Sequence, residues 1–100
     1  MAGETAVARR VRQHTAACVT RACRDVAAAL QVIRTECATS GFARDGRDTC
    51  RELVAAGLRD ALRRLDGWLA DDALDDLSRR RCLAARHDAL EICALLEVSA

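Results

Sequence analysis

Apolar and small residues recur along the first third of the chain at the spacing of an amphipathic helix. Between Val7 and Cys37 they fall three or four residues apart, or at multiples of these steps, and no proline or glycine interrupts them. Gly41 follows and can take the left-handed conformation that ends a helix. The pattern therefore predicts one long first helix, whose apolar surface is shared between two neighbours. Its positions are Val7, Val11, Cys18, Ala22, Val26, Leu30, Ile33 and Cys37.

A capping box predicts the start of a second helix. Thr49 is followed three residues later by Glu52, which places Cys50 at the first helical position. Gly57 interrupts the helix at a cost of about 1 kcal/mol relative to alanine, so we expect a neighbouring backbone to pack close to it. The apolar positions of this helix are Leu53, Val54, Leu58, Leu62, Leu65 and Leu69.

Gly67 and a cluster of acids predict the start of a third helix, because negative charge in a first turn interacts favourably with the helix dipole. The acids are Asp71, Asp72, Asp75 and Asp76, and the apolar positions are Leu74, Leu77, Leu83, Leu90, Ile92, Leu95 and Leu96. One bent helix through 65–74 also fits the pattern. We expect an all-α protein, a small three-helix bundle in which an antiparallel helical hairpin is joined by a third helix that packs back on it.

The composition indicates one domain, 1–100, with a thin core. Of the 100 residues 51% are apolar, but 21 of these are alanine, and Leu, Ile, Val and Phe together number only 22. A chain of this size already buries a smaller fraction of its surface than a larger domain does. We therefore expect crosslinks or a partner to add stability.

The charge pattern argues against nucleic acid as a partner. The net charge is only +1, which gives no overall field for a polyanion. Residues 1–34 carry +4, residues 35–69 are neutral and residues 70–100 carry −3, which favours pairing between helices or with another subunit. No run of eighteen apolar residues is present, so we do not expect a membrane span. The arginine-rich start fits an ordinary first helix and, loosely, a mitochondrial targeting helix.

Six cysteines are the main candidates for chemistry. Cys37 and Cys50 lie at the facing ends of the predicted hairpin, within the reach of a disulfide. In an oxidising compartment we expect this inner bond to form and to contribute roughly 3 kcal/mol, whereas in a reducing cytosol the two residues are buried thiols. A second, outer disulfide from Cys18 or Cys23 to the third helix is possible, but the spacing alone does not identify the partner cysteine. The alternative for Cys18, Cys23, Cys82 and Cys93 is a role as small apolar core residues.

Metal binding and catalysis have weaker signals. The chain has no CxxC pair, and the nearest approach to a ligand pair is His14 with Cys18, one helical turn apart. No histidine has a nucleophile in a catalytic pattern, so we expect neither an enzyme nor a cofactor. A reactive Cys50 with Cys37 as its resolving partner is a third reading, because a helix N-terminus stabilises a thiolate.

Trp68 and a run of arginines are candidates for contact with a partner protein. Trp68, the only tryptophan, falls at a helix end, where it serves as a core plug or as an anchor for a partner. The other feature is the basic run Arg79, Arg80 and Arg81. Acids stand four residues before the first two of these arginines, which favours a self-paired, solvated face.

The stretch CRDVAAALQVIRTECATSGFARDGRDTCREL, residues 23–53, resembles the paired-cysteine helical hairpin of small mitochondrial intermembrane-space proteins such as the hinge subunit of respiratory complex III. The resemblance implies an inner disulfide between Cys37 and Cys50. The outer cysteine of that family has no counterpart near Arg63 and Arg64. GFARDGRDTCREL is also similar to the caffeine-induced-death-protein family of the same compartment.

These observations predict a non-enzymatic helical structural, accessory or assembly subunit that binds protein partners in a larger complex. We expect it inside the cell, in the mitochondrial intermembrane space or, alternatively, in the cytoplasm. A stand-alone helical adaptor with reduced cysteines, from a GC-rich bacterium or virus, is the alternative. Metal or redox handling is the third option.

Overall fold

Three helices account for almost all of the computed structural model, which describes residues 5–38 and 44–98, the side chains of 37–38 and 44–51 excepted. They are α1 (Ala6–Ala38), α2 (Arg44–Leu69) and α3 (Asp76–Leu96), and the described ranges contain no strand. The all-α three-helix bundle is confirmed. Residues 70–75 separate α2 from α3, so the chain through 65–74 is the end of one helix followed by a connection, and not one bent helix.

The third helix holds the bundle together. It packs extensively on both α1 and α2, whereas α1 and α2 approach each other at far fewer positions. Thr20 lies against Arg81 and Arg34 against Glu91, so α1 and α3 run in the same direction. The short connection at 70–75 turns the chain between α2 and α3, and α2 runs opposite to both neighbours. The two helices of the hairpin are therefore joined mainly through α3.

A narrow row of side chains, small from Ser78 to Ala89 and larger at Ile92 and Leu96, forms the buried face of α3. We call it the α3 seam, and its members recur at alternating steps of four and three residues, as in a coiled-coil interface. Small side chains let two helices approach one helix closely from two sides. The members are Ser78, Cys82, Ala85, Ala89, Ile92 and Leu96, and Cys93 lies buried beside them.

The sequence interpretation of α3 is correct for Ile92 and Leu96, which are buried, and wrong for three leucines. Leu77, Leu83 and Leu95 were expected in the core, but 55%, 53% and 38% of their surfaces are exposed. The α3 seam runs from Ile92 and Leu96 back through Ala89, Ala85 and Ser78, which were not expected in the core. Larger apolar side chains of α1 and α2 pack with it in one cluster. Side-chain size misled the prediction, because a central helix between two close neighbours buries its small residues.

The first helix buries only part of its predicted stripe. Val26, Leu30 and Ile33 are buried as expected, and Val19, outside the stripe, is completely buried. Val7 and Val11 remain 70% and 59% exposed. All positions from 5 to 14 are exposed, because α1 is much longer than α3 and its first turns extend past the start of α3.

The capping box at Thr49 is wrong as the start of α2. The helix begins at Arg44, so Thr49 and Cys50 lie inside it. No proline occurs in this segment, and an established helix gains a backbone hydrogen bond with each added residue, so Gly46 does not stop it. Gly41 and the side chains of Cys37 and Cys50 fall outside the described residues, and the inner disulfide stays a prediction.

Gly57 and Gly67 within α2 do not have the roles expected of them. Gly67 lies inside the helix, which continues to Leu69. Gly57 is exposed, and a Cβ built on it would meet no atom within 4 Å. The expectation of a closely packed backbone at Gly57 is therefore wrong.

Enlarging the α3 seam is expected to destabilise the bundle. Ala89 is completely buried between the helices, and Ala84 is exposed on the same helix. We expect Ala89→Leu to lower the free energy of unfolding by about 1–3 kcal/mol, because overpacking forces the helices apart. Ala84→Leu serves as the matched control and should change it by less than about 0.5 kcal/mol. Urea unfolding followed by circular dichroism measures both; equal effects would contradict the assignment of the seam.

Candidate functional site

A groove at one end of the bundle separates the overhanging start of α1 from the connection between α2 and α3. We call it the end groove, and its volume is ≈ 380 Å³. Val11 on α1 and Leu74 on the connection give it apolar walls, and charged residues lie at its edges. Its lining residues are Ala8, Val11, Arg12, Thr15, Asp71, Ala73, Leu74 and Asp75.

Local hydrogen bonds hold the connection that forms one wall of the end groove. The backbone N–H of Ala73 donates to Asp71 Oδ1 at 2.9 Å, and the N–H of Leu74 donates to the Asp71 carbonyl at 3.1 Å. These bonds form a tight turn around Asp71. Leu74 is thereby turned into the core, where it is 8% exposed.

Asp75 caps the start of α3. Its Oδ1 accepts from the Ser78 N–H at 2.7 Å and its Oδ2 accepts from the Ser78 hydroxyl at 3.0 Å. The backbone bond, and after it the hydroxyl bond, lowers the pKa of Asp75. The acid cluster therefore marks the start of α3 as predicted. The expected pairing of Asp75 with Arg79 is wrong, because the Arg79 guanidinium donates to two backbone carbonyls instead.

Arg79 instead closes the end of α2. Its Nη1 donates to the Leu69 carbonyl at 2.9 Å and its Nη2 donates to the Asp71 carbonyl at 3.0 Å. The last carbonyls of a helix have no partner within the helix, so a guanidinium in this position satisfies them. Arg79 is thus engaged inside the chain and supports the wall of the end groove.

The other interface candidates have different surroundings. Arg81 donates from Nη1 to Thr20 Oγ1 at 3.0 Å and so joins α3 to α1. Arg80 is exposed. Trp68 is half-buried against the core, and the guanidinium carbon of Arg64 lies 5.4 Å from its ring centroid. Trp68 therefore packs against the core with part of its ring and leaves the rest accessible.

His14 and Cys18 make contact on α1. His14 Nε2 lies 3.5 Å from Cys18 Sγ, at the edge of a pocket of ≈ 250 Å³ that also contains Arg21, Asp25 and Arg64. Among the side chains that the structure describes, no three from His, Cys, Asp or Glu converge as metal ligands. The structure thus brings the predicted His14 and Cys18 pair together without a third ligand among these residues.

Burial sets the chemistry of three thiols. The four cysteines with described side chains are free thiols. Burial, and then the neighbouring Cys23, raises the pKa of Cys82 from 9.0 to about 11. Burial also raises the pKa of Cys23, against an opposing effect of Arg81, and burial raises the pKa of Cys93. At neutral pH these three residues are protonated and weakly nucleophilic.

The end groove was not found by sequence reasoning, because it depends on where α1 extends past α3. A signal was nonetheless present. Val7 and Val11 stand one turn apart in a segment dominated by polar residues, and the bundle leaves both exposed. The chain also contained the regular four-and-three spacing from Ser78 to Leu96, which identifies the buried face of α3.

No helix in the described part of the chain has the length and hydrophobicity that crossing a membrane requires. Comparison with known proteins gives no match: no protein-family model matches the chain, and neither a curated protein nor a solved structure matches it.

Removing the Arg79 guanidinium is expected to loosen the connection. We expect Arg79→Ala to lower the free energy of unfolding by about 1–2 kcal/mol, because two carbonyls lose their donors. Arg80→Ala, at the exposed neighbouring position, is the control and should have an effect below about 0.5 kcal/mol. Chemical unfolding measures both, and hydrogen exchange at 69–75 should accelerate only in Arg79→Ala. Equal exchange rates in the two variants would argue against the role of Arg79.

The raised thiol pKa values predict a loss of stability in alkali. The chain has no lysine and no tyrosine, so cysteines are the only side chains that titrate between about pH 8.5 and 11. In this window the unfolded chain loses the Cys82 proton before the folded chain does. Protonated Cys82 therefore contributes its full share to the free energy of unfolding below pH 9. This contribution, on the order of 2 kcal/mol, is lost as pH rises towards 11.

Unfolding of the reduced protein at a series of pH values measures this slope. Cys82→Ala removes the titrating group and leaves an apolar side chain, so its stability should fall less steeply over the same range. Parallel pH profiles for the variant and the unaltered chain would refute the assignment to Cys82.

Proposed function

We propose that this protein is a non-enzymatic helical accessory or assembly subunit, and that a protein partner binds in the end groove. The exposed pair Val7 and Val11 beside this groove carries the proposal. Their side chains are 70% and 59% exposed, and they point away from the core on the part of α1 that extends past α3. Burial of such side chains by a partner is favourable at about 25 cal/mol for each Å² of apolar surface.

The chemistry of the groove favours an amphipathic helix of the partner as its occupant. Val11 and Leu74 provide apolar contact on opposite walls. The connection wall is acidic and exposed, so it matches a row of basic side chains along one edge of the partner helix. Its acidic lining residues are Asp71 and Asp75, and the exposed Asp72 and Asp76 follow them directly in the chain.

A rigid frame also supports this function. Asp75 and Arg79 hold the connection wall through hydrogen bonds to the backbone and to Ser78. Arg81 fixes the register of α1 against α3. A preformed groove limits the entropy that binding would otherwise cost.

A matched pair of valines tests the proposal. Val11 and Val32 lie on the same helix with 59% and 58% of their surfaces exposed, but only Val11 lines the end groove. We expect Val11→Arg to reduce the amount of native complex recovered with the tagged chain at least tenfold, because it places a charge in the apolar contact. Val32→Arg should leave recovery unchanged. Circular dichroism and thermal unfolding establish that both variants fold.

A photo-crosslinking residue at position 7 provides the second measurement, and position 32 is again the control. Crosslinks from position 7 to one partner, lost in Val11→Arg, support the proposal. Recovery of the same complex with both arginine variants would refute the groove as the docking site. A chain that remains a monomer, without a partner at physiological salt in its native extract, would refute the function itself.

A further inference from the structure

Two thiols from different helices meet inside the bundle. Cys23 on α1 donates a hydrogen bond from its Sγ to the Arg81 carbonyl at 3.4 Å, and Arg81 immediately precedes Cys82 on α3. Cys23 also packs against the core cluster to which Cys82 belongs, and its presence raises the pKa of Cys82. The two thiols therefore lie next to each other across the contact between α1 and α3.

The surrounding contacts hold these thiols in register. Arg81 binds Thr20 one turn before Cys23, and Arg34 pairs with Glu91 further along the same two helices. Cys82 is completely buried, whereas Cys23 is half-buried. One sulfur is thus reachable by a small reagent and the other is reachable only through its neighbour.

Cys18 and Cys93 have no such neighbour among the cysteines whose side chains are described. Cys18 contacts His14 of its own helix. Cys93 is buried on α3, eleven positions beyond Cys82, which corresponds to about 16 Å along a helix. Of the cysteines whose side chains are described, Cys23 and Cys82 are the pair that the packing brings together.

We propose that Cys23 and Cys82 form a disulfide that joins α1 to α3 when the protein meets a small disulfide oxidant of the oxidised-glutathione type. Spacing alone gave the outer bond no partner, and the α3 seam selects Cys82. The assignment goes beyond the proposed function and does not depend on it.

The reaction proceeds by two thiol–disulfide exchanges. The Cys23 thiolate attacks one sulfur of oxidised glutathione, the glutathione S–S bond breaks, and one glutathione thiolate leaves and takes up a proton. The Cys82 thiolate then attacks the Cys23 sulfur in the mixed disulfide and releases the second glutathione. Two protein thiols are oxidised, and one glutathione disulfide is reduced to two thiols.

The bond would connect the first helix to the last across about 60 residues of chain. A crosslink over such a loop restricts the unfolded state strongly. It would also fix the position of α1 along α3, and with it the α1 wall of the end groove.

Peptide mapping tests the pairing directly in the unaltered chain. Because arginines separate all six cysteines, trypsin places each of them on its own peptide. The folded protein is equilibrated with oxidised glutathione, remaining thiols are blocked by alkylation, and the digest is analysed without reduction. We expect the linked peptides 22–24 and 82–86 to be the main product that contains either residue.

Single variants provide a second readout. We expect the bond between Cys23 and Cys82 to raise Tm on oxidation by about 10 °C or more. Cys23→Ser should abolish this rise. Cys18→Ser, at a half-buried position on the same helix, should retain it. Any bond between Cys37 and Cys50 contributes equally to both variants.

Two results would overturn the proposal. One is a map in which Cys23 and Cys82 pair mainly with other cysteines. The other is a map in which both stay reduced under conditions that oxidise dithiothreitol completely.

Discussion

The close approach of two long helices to the narrow face of α3 is the constraint on which the structure depends. From Ser78 to Ala89 this face carries no side chain larger than cysteine. Most of the larger apolar residues of the core come from the other helices, including Val19 and Leu30 from α1 and Leu65 from α2. Small side chains on the central helix and large ones on its neighbours fill the interior at the density that protein cores require. A chain with few large apolar residues can thereby form one continuous core.

The polar residues around the start of α3 extend this arrangement to the end of the bundle. Ser78 is 4% exposed, and its hydroxyl donates to Asp75, so the one polar member of the α3 seam is satisfied. Two residues at the start of α3 cap two helices: Asp75 caps the N-terminus of α3, and Arg79 caps the C-terminus of α2. The wall of the end groove is consequently fixed by the same residues that begin α3. The proposed docking surface and the fold therefore depend on the same residues.

The proposed thiol pair and the proposed docking groove are linked through the position of α1. Cys23 and Thr20 set the register of α1 against α3, and the turns before them extend past α3 to form the other wall of the groove. A covalent bond at Cys23 would act on that register without touching the groove. The raised thiol pKa values show why such a bond would form slowly at neutral pH without a catalyst, since thiolates are the reactive species.

The sequence by itself determined the helical class, the number of helices and most of the buried positions on α1 and α2, because an amphipathic spacing depends only on local periodicity. It also indicated the start of α3, since an acid cap acts through neighbouring backbone groups. The sequence interpretation was wrong about the start of α2, the pairing of Asp75 and part of the buried face of α3. That face depends on how many helices surround α3, and this central helix buries alanine and cysteine along most of its length while Leu77, Leu83 and Leu95 remain outside. Only the tertiary structure brought Cys23 to Cys82 and left Val7 and Val11 beside a groove, because contacts between helices depend on their relative length and register.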